Sequence, residues 1–172
     1  HIVSDGWSTD VLIHEITQNY IALLDQTPAN YKVLTIQYAD FSFWQRNWLQ
    51  GDVLQKQVDF WVEKLQGAPA ILELPTDRPR PVVQTYVGHT SSFDFPNELS
   101  QKIKSFSRQH DVTLNMLLLT AYQILLSRYS GQDDICVGTP VANRNHSELE
   151  VLIGFFVNTI VMRTKIDSKS GF

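Results

Sequence analysis

The segment His1-Ile2-Val3-Ser4-Asp5-Gly6-Trp7-Ser8 places an imidazole and a carboxylate four residues apart around an Asp-Gly turn. An imidazole takes up and returns a proton near neutral pH, so His1 is a candidate base. Asp5 is either its orienting neighbour or a structural anion paired elsewhere. Gly6 lacks a side chain, which leaves its backbone N–H open to an approaching oxygen and makes it a candidate oxyanion donor. Ser8-Thr9-Asp10 is a cluster suited to start a helix. The same spacing also describes an ordinary surface turn, and the rest of the chain has to decide between the two.

Few other side chains offer chemistry. Arg144, in Val141-Ala142-Asn143-Arg144-Asn145, is a cation that reads as an exposed loop residue unless a buried carboxylate claims it. Asn158 lies in an otherwise apolar run, where a buried amide needs partners: substrate, or a neighbouring backbone. Trp7, Phe43, Trp44, Trp48 and Trp61 read as packing rather than ligand stacking. His14, His89, His110 and His146 lack metal-ligand spacing, and no metal site is expected. Gly131 to Gly138 lacks the Lys-Ser/Thr that closes a phosphate loop. Cys136 reads as a small core residue without the histidine a nucleophilic thiol needs.

The elements that must position these groups follow from periodicity and punctuation. A helical stripe of Leu12, Ile16, Tyr20 and Leu23 runs from Asp10 to Leu24 and ends before Pro28. A short aromatic helix is expected from Asp40 to Leu49. A helix capped by Asp52 and Gln55 and closed by Gly67 follows it. Pro75, Pro79 and Pro81 make the stretch from Ile71 to Val82 an extended connector. Tyr86 to Phe95 reads as a strand and Asn97 to His110 as an amphipathic helix. Thr113 caps a helix running to about Tyr129, apolar on most sides and therefore expected to be central and buried. Asp134 to Val141 reads as a strand. A capping box at Ser147–Glu150 starts a short helix ended by Gly154. Phe155 to Ile166 reads as a long interior strand. The order is α/β in character.

Composition bounds the rest. The 172 residues fit one domain by length and are 43% hydrophobic and 11% aromatic, as in ordinary globular proteins. A net charge of −4 gives no basic footprint for nucleic acid. No apolar run approaches the length needed to span a bilayer. The single cysteine excludes an internal disulfide and fits a reducing compartment, so a cytoplasmic location is expected.

Four ordered segments then carry a resemblance: HIVSDGWS (residues 1–8), YADFSFWQRNWLQG (38–51), GTPVANRN (138–145) and LIGFFVNT (152–159). With the spacers ELPTDRPRP (73–81) and TLNMLLLTAYQILLSRYSGQDDICV (113–137), they resemble the core motifs of condensation domains of nonribosomal peptide synthetases. The opening is similar to the family's HHxxxDG motif without its first histidine. The resemblance implies a chloramphenicol acetyltransferase-like two-lobe fold of which the chain holds only the end of the first lobe and the start of the second. Residues 1–70 would close the first lobe, 71–82 would be the inter-lobe connector, and 83–172 would open the second.

The implied activity is acyl transfer: a carrier-bound aminoacyl or peptidyl thioester donor is joined to the amine of a carrier-bound acceptor. His1 matches the histidine given the catalytic role and would face a tunnel between the lobes. Asp5 matches an aspartate that pairs with the arginine matched by Arg144, a pair expected to be desolvated and bidentate. Gly6 and Asn158 are candidates for oxyanion or substrate contact. Implied partners are donor and acceptor peptidyl carrier domains and an adjacent adenylation domain. The phosphopantetheine belongs to the carriers, and no cofactor is bound by this domain itself. The wording of the opening motif resembles the subtype with an L-configured donor. The rival expectations are an epimerisation domain of the same fold and a non-catalytic fragment that only docks carriers. The excised 172 residues are expected to be inactive and to expose sheet edges.

Overall fold

The computed structural model describes residues 1–29, 31 and 33–167. The element order is α1 (Gly6–Leu24), α2 (Tyr38–Trp48), α3 (Gly51–Leu65), α4 (Asn97–Gln109), α5 (Leu114–Ser130), β1 (Asp134–Val141), a 3₁₀ turn (Ser147–Leu149) and β2 (Asn158–Lys165). The chain forms two compact units, His1–Gln66 with Gly138–Met162, and Gly67–Val137 with Arg163–Phe172. The last five residues of the expected 83–172 segment lie outside the described residues.

The first unit holds α1, α2 and α3. Its core is Phe41 of α2 against Leu149, Leu152 and Phe156, with Ile36 and Tyr38 packed on it. The Phe41 and Phe156 rings lie 4.8 Å apart, and Tyr38 meets Phe156 edge-on at 5.1 Å. Each such buried apolar side chain contributes roughly 1.5–3 kcal/mol. α2 begins with a capping box in which Asp40 Oδ2 accepts from Gln37 N at 2.8 Å. The aromatic helix expected from the sequence is therefore present, started two residues earlier than expected. α1 also starts a turn early, at Gly6. Its N-cap is Asp5, which outcompetes the Ser8-Thr9-Asp10 cluster because its carboxylate accepts from Ser8 N at 2.9 Å. α3 does not use the expected Asp52–Gln55 cap; Gln55 Nε2 donates to Asp59 one turn on, and Gln50 is the N-cap. Gly67, at φ +70°, takes the left-handed conformation that ends α3.

In the second unit α4 packs on α5. Thr113 caps α5 as expected, its side chain accepting from Met116 N at 3.1 Å, and Gly131 stops the helix at φ +70°. Three expectations fail. Helix α5 is not buried all round: Met116, Tyr122, Leu125 and Tyr129 are exposed, while Gln123 and Leu126 are buried. An all-apolar helix surface is covered only where further elements stand on each side, and here α4 covers one face. Residues 86–95 form no strand, and Tyr86, Val87 and Phe93 are exposed. A strand exists by pairing, and among the described residues the sheet contains β1 and β2 alone. The last strand starts at Asn158 rather than Phe155, because residues 154–156 spend their backbone groups on side chains of the first unit.

β1 matches its expected span. The two strands run antiparallel: Asp133 O accepts from Ile166 N at 2.7 Å, whereas Gly138 stands against Thr159. Arg163 grips Asp134 with two bonds, Nε to Oδ1 at 2.9 Å and Nη2 to Oδ2 at 2.6 Å. That side-chain hydrogen bond from Arg163 holds the Asp134 carboxyl below its usual range.

Candidate active site

Asp5 is 4% exposed although it is charged, so its solvation has to come from protein. Four donor contacts supply it. Oδ1 accepts from Ser8 N at 2.9 Å, Ser8 Oγ at 2.7 Å and Arg144 Nη2 at 3.2 Å; Oδ2 accepts from Phe156 N at 3.0 Å. Burial raises the pKa of the carboxyl. The hydrogen bonds from Ser8, Phe156 and Arg144 together outweigh burial and hold it well below the usual carboxylate range. The N-terminus of α1 adds a favourable dipole.

Arg144 is equally withdrawn from water, with side chains of the pair 1% and 2% exposed. The expected pairing with Asp5 exists, but it is not bidentate. Nη2 reaches one carboxylate oxygen, and Nη1 donates to the carbonyls of Leu149 and Leu152. The guanidinium thus ties α1 to the turn after the 3₁₀ segment instead of forming a closed two-residue fork. Its flat face lies 4.1 Å from the Phe156 ring centroid and 5.7 Å from that of Trp7. Nε has no hydrogen-bond partner among the described residues, and these ring faces provide its environment. Asn143 beside it adopts φ +55°, a conformation asparagine tolerates better than most residues, and so turns the chain inward.

Two polar residues at the centre were not singled out from the sequence. Ser8 is 1% exposed, and its hydroxyl touches Asp5, Arg144 and both backbone groups of Gly154. Tyr38 donates its hydroxyl to Phe155 O at 2.8 Å. The sequence carried a signal for Ser8: it stands three residues after an aspartate, the spacing of an N-cap acceptor and its backbone donor. Trp7 Nε1 also donates to Glu150 O at 2.8 Å, tying the first turn of α1 to the same segment.

His1 is exposed, with its ring edge-on to Phe155 at 6.2 Å between centroids. Gly6 is the first residue of α1, and a Cβ there would meet nothing within 4 Å. Gly6 is also exposed, so a side chain there would stand in open space. Asn158 is exposed rather than buried, a correction to the expectation of an interior strand. Its Oδ1 accepts from Thr159 N at 2.8 Å, and it borders a groove of about 310 Å³ with Trp44, Trp48, Asn143 and His146. Trp44 and Trp48 stack on each other at 5.3 Å, but both are exposed, as are Trp7 and Phe43, a correction to the expectation that these aromatics are packing residues. Cys136 is a free, half-buried thiol. Among the described residues no three His, Cys, Asp or Glu side chains stand together as a metal site. No helix among the described residues is long and apolar enough to cross a membrane.

The fold of the chain recurs in solved proteins. The SgcC5 protein of Streptomyces globisporus superposes with a TM-score of 0.79 at 30% identity, over 98% of this chain and 38% of that one. A four-domain nonribosomal peptide synthetase solved with AMP and glycine gives 0.81 at 29% identity, over 97% and 12%. The fold is chloramphenicol acetyltransferase-like, an α/β architecture of which this chain is a part. The condensation-domain family model matches residues 1–172, and the chain belongs to that family of nonribosomal peptide synthetases. Among curated relatives, a linear gramicidin synthase of Brevibacillus parabrevis is 51% identical over the whole chain, and gramicidin S synthase 2 of Brevibacillus brevis is 40% identical over the same length. The chain spans only 3% and 4% of those proteins.

Proposed function

We propose that this chain supplies the active-site loop of a peptide-bond-forming acyltransferase. Acyl transfer from a thioester to an amine has two needs. The attacking nitrogen must lose a proton, and the charge on the carbonyl oxygen must be stabilised. His1 holds the amine and receives or steadies its proton, while the N–H of Gly6 faces the oxyanion. The sulfur leaves with the proton it needs to become a thiol, and a new amide bond replaces the thioester. Asp5 and Arg144 take no proton in this scheme; they fix the loop between His1 and α1. The observation that carries the reading is the buried Asp5–Ser8–Arg144 cluster, whose Asp5 stands four residues along the chain from His1. A surface turn has no reason to bury an ion pair.

The complete domain carries residues 1–70 at the end of one lobe and 83–172 at the start of the other, joined by 71–82, with His1 facing the tunnel between them. Donor and acceptor carrier domains bring their own phosphopantetheine thioesters, and an adenylation domain stands nearby. The wording HIVSDGWS favours an L-configured donor. The 172 residues alone are inactive in this reading, and measurable condensation by them would contradict it. The deciding experiment is His1→Ala in the complete domain with loaded carriers. Dipeptide formation is expected to fall by about 100-fold or more, the range of a lost acid–base group. Unchanged turnover would remove His1 from the chemistry. Epimerisation is the rival reaction of the fold, and the segments VANRN and LIGFFVNT speak against it. The same assay separates the two, because inversion at an α-carbon without amide formation would establish the rival.

A further inference from the structure

Residues 154–156 are held at every position. Gly154 N donates to Ser8 Oγ at 3.0 Å, and Gly154 O lies 2.8 Å from the same hydroxyl. Phe155 O accepts from the Tyr38 hydroxyl at 2.8 Å, and Phe156 N donates to Asp5. The Tyr38 ring also lies directly on Gly154, where an added Cβ would come within 2.9 Å of Tyr38 Cγ and closer still to other ring atoms. Ser8 is saturated by this arrangement. Its two lone pairs face two obligate donors, Arg144 Nη2 and Gly154 N, and its single proton goes to Asp5 Oδ1 or Gly154 O. Between the two clamped peptide groups projects the Phe155 side chain, whose ring is the aromatic neighbour of His1.

We infer that Tyr38 and Ser8 are positioning residues that set the His1 imidazole by clamping Gly154 and Phe155, so that the Phe155 ring limits the orientations the imidazole can take. The inference rests on the catalytic role proposed for His1. The rotation of an exposed imidazole is otherwise free, and a small misplacement of a reacting group is costly in rate. Tyr38 acts through one hydroxyl whose loss leaves its ring in place over Gly154, which makes it the cleaner of the two residues to alter.

The test uses the complete domain with aminoacyl-loaded carrier domains and compares Tyr38→Phe, Phe155→Leu, their double variant and His1→Ala. Tyr38→Phe is expected to lower kcat about tenfold, the worth of one lost hydrogen bond, with KM for the acceptor carrier unchanged. Phe155→Leu should do the same, and the double variant should be no slower than the worse single one, since both act through one ring. Additive losses in the double variant overturn the inference. So does a kcat within twofold of the parent for Tyr38→Phe, or a loss that only follows the folded fraction measured by circular dichroism. Ser8→Ala serves as a second probe of the clamp, with Ser8→Thr as the conservative variant expected to restore part of kcat. If His1→Ala leaves turnover intact, the proposed role of His1 fails. If His1→Ala abolishes turnover while Tyr38→Phe does not lower it, the clamp alone fails.

Discussion

At the scale of single residues, the buried pair decides what substitutions cost. Asp5→Asn keeps the shape but replaces one acceptor oxygen with an NH₂ group. Whichever way the amide turns, that group faces a donor: Phe156 N on one side, or Ser8 N and Arg144 on the other. The expected cost is about 3 kcal/mol, read as a shift in the urea midpoint. Arg144→Ala strands the carboxylate and should cost about 3–5 kcal/mol. Because the folded carboxyl sits below its unfolded range, its contribution is fully present above the unfolded pKa of about 4 and is lost as pH falls through the folded value. Stability should therefore drop between about pH 5 and about pH 2, and the drop should be smaller in Asp5→Asn. An equal drop in both would assign the acid sensitivity to other groups.

At the scale of elements, caps and close approaches carry the testable energies. Thr113→Ala removes the acceptor for Met116 N and should destabilise α5 by about 1 kcal/mol, measurable by thermal unfolding. Gly154→Ala drives a methyl into the Tyr38 ring. The ring cannot swing aside, because its hydroxyl is bonded to Phe155 O and its face packs on Phe41 and Phe156. Overpacking of this kind costs about 1–3 kcal/mol. A neutral Gly154→Ala would show that the segment can yield, and would weaken the case for a clamp.

At the scale of the whole molecule, the chain leaves much apolar surface in water. Leu23 is 78% exposed, Val82 fully so, and both outer edges of the β1–β2 pair lack a neighbour among the described residues. Unpaired edges and contiguous apolar faces drive association. The 172-residue chain should show a rising sedimentation coefficient with concentration, and a single monomeric species across that range would refute this.

Local chemistry made much of this protein legible in its sequence. Thr113, Gly67 and the span of β1 could be read directly, since a cap, a left-handed glycine and a β-rich run act within a few residues. The pairing of Asp5 with Arg144 could be read only through likeness to a family, because 139 residues separate them and no local rule links them. Tertiary structure alone decided the rest. It turned the expected two-bond fork into a guanidinium shared among a carboxylate, a serine and two carbonyls, and it left α5 and residues 86–95 uncovered. It also made Ser8 and Tyr38 central. Burial and strand pairing are properties of partners, and a sequence segment does not state which partners will stand beside it.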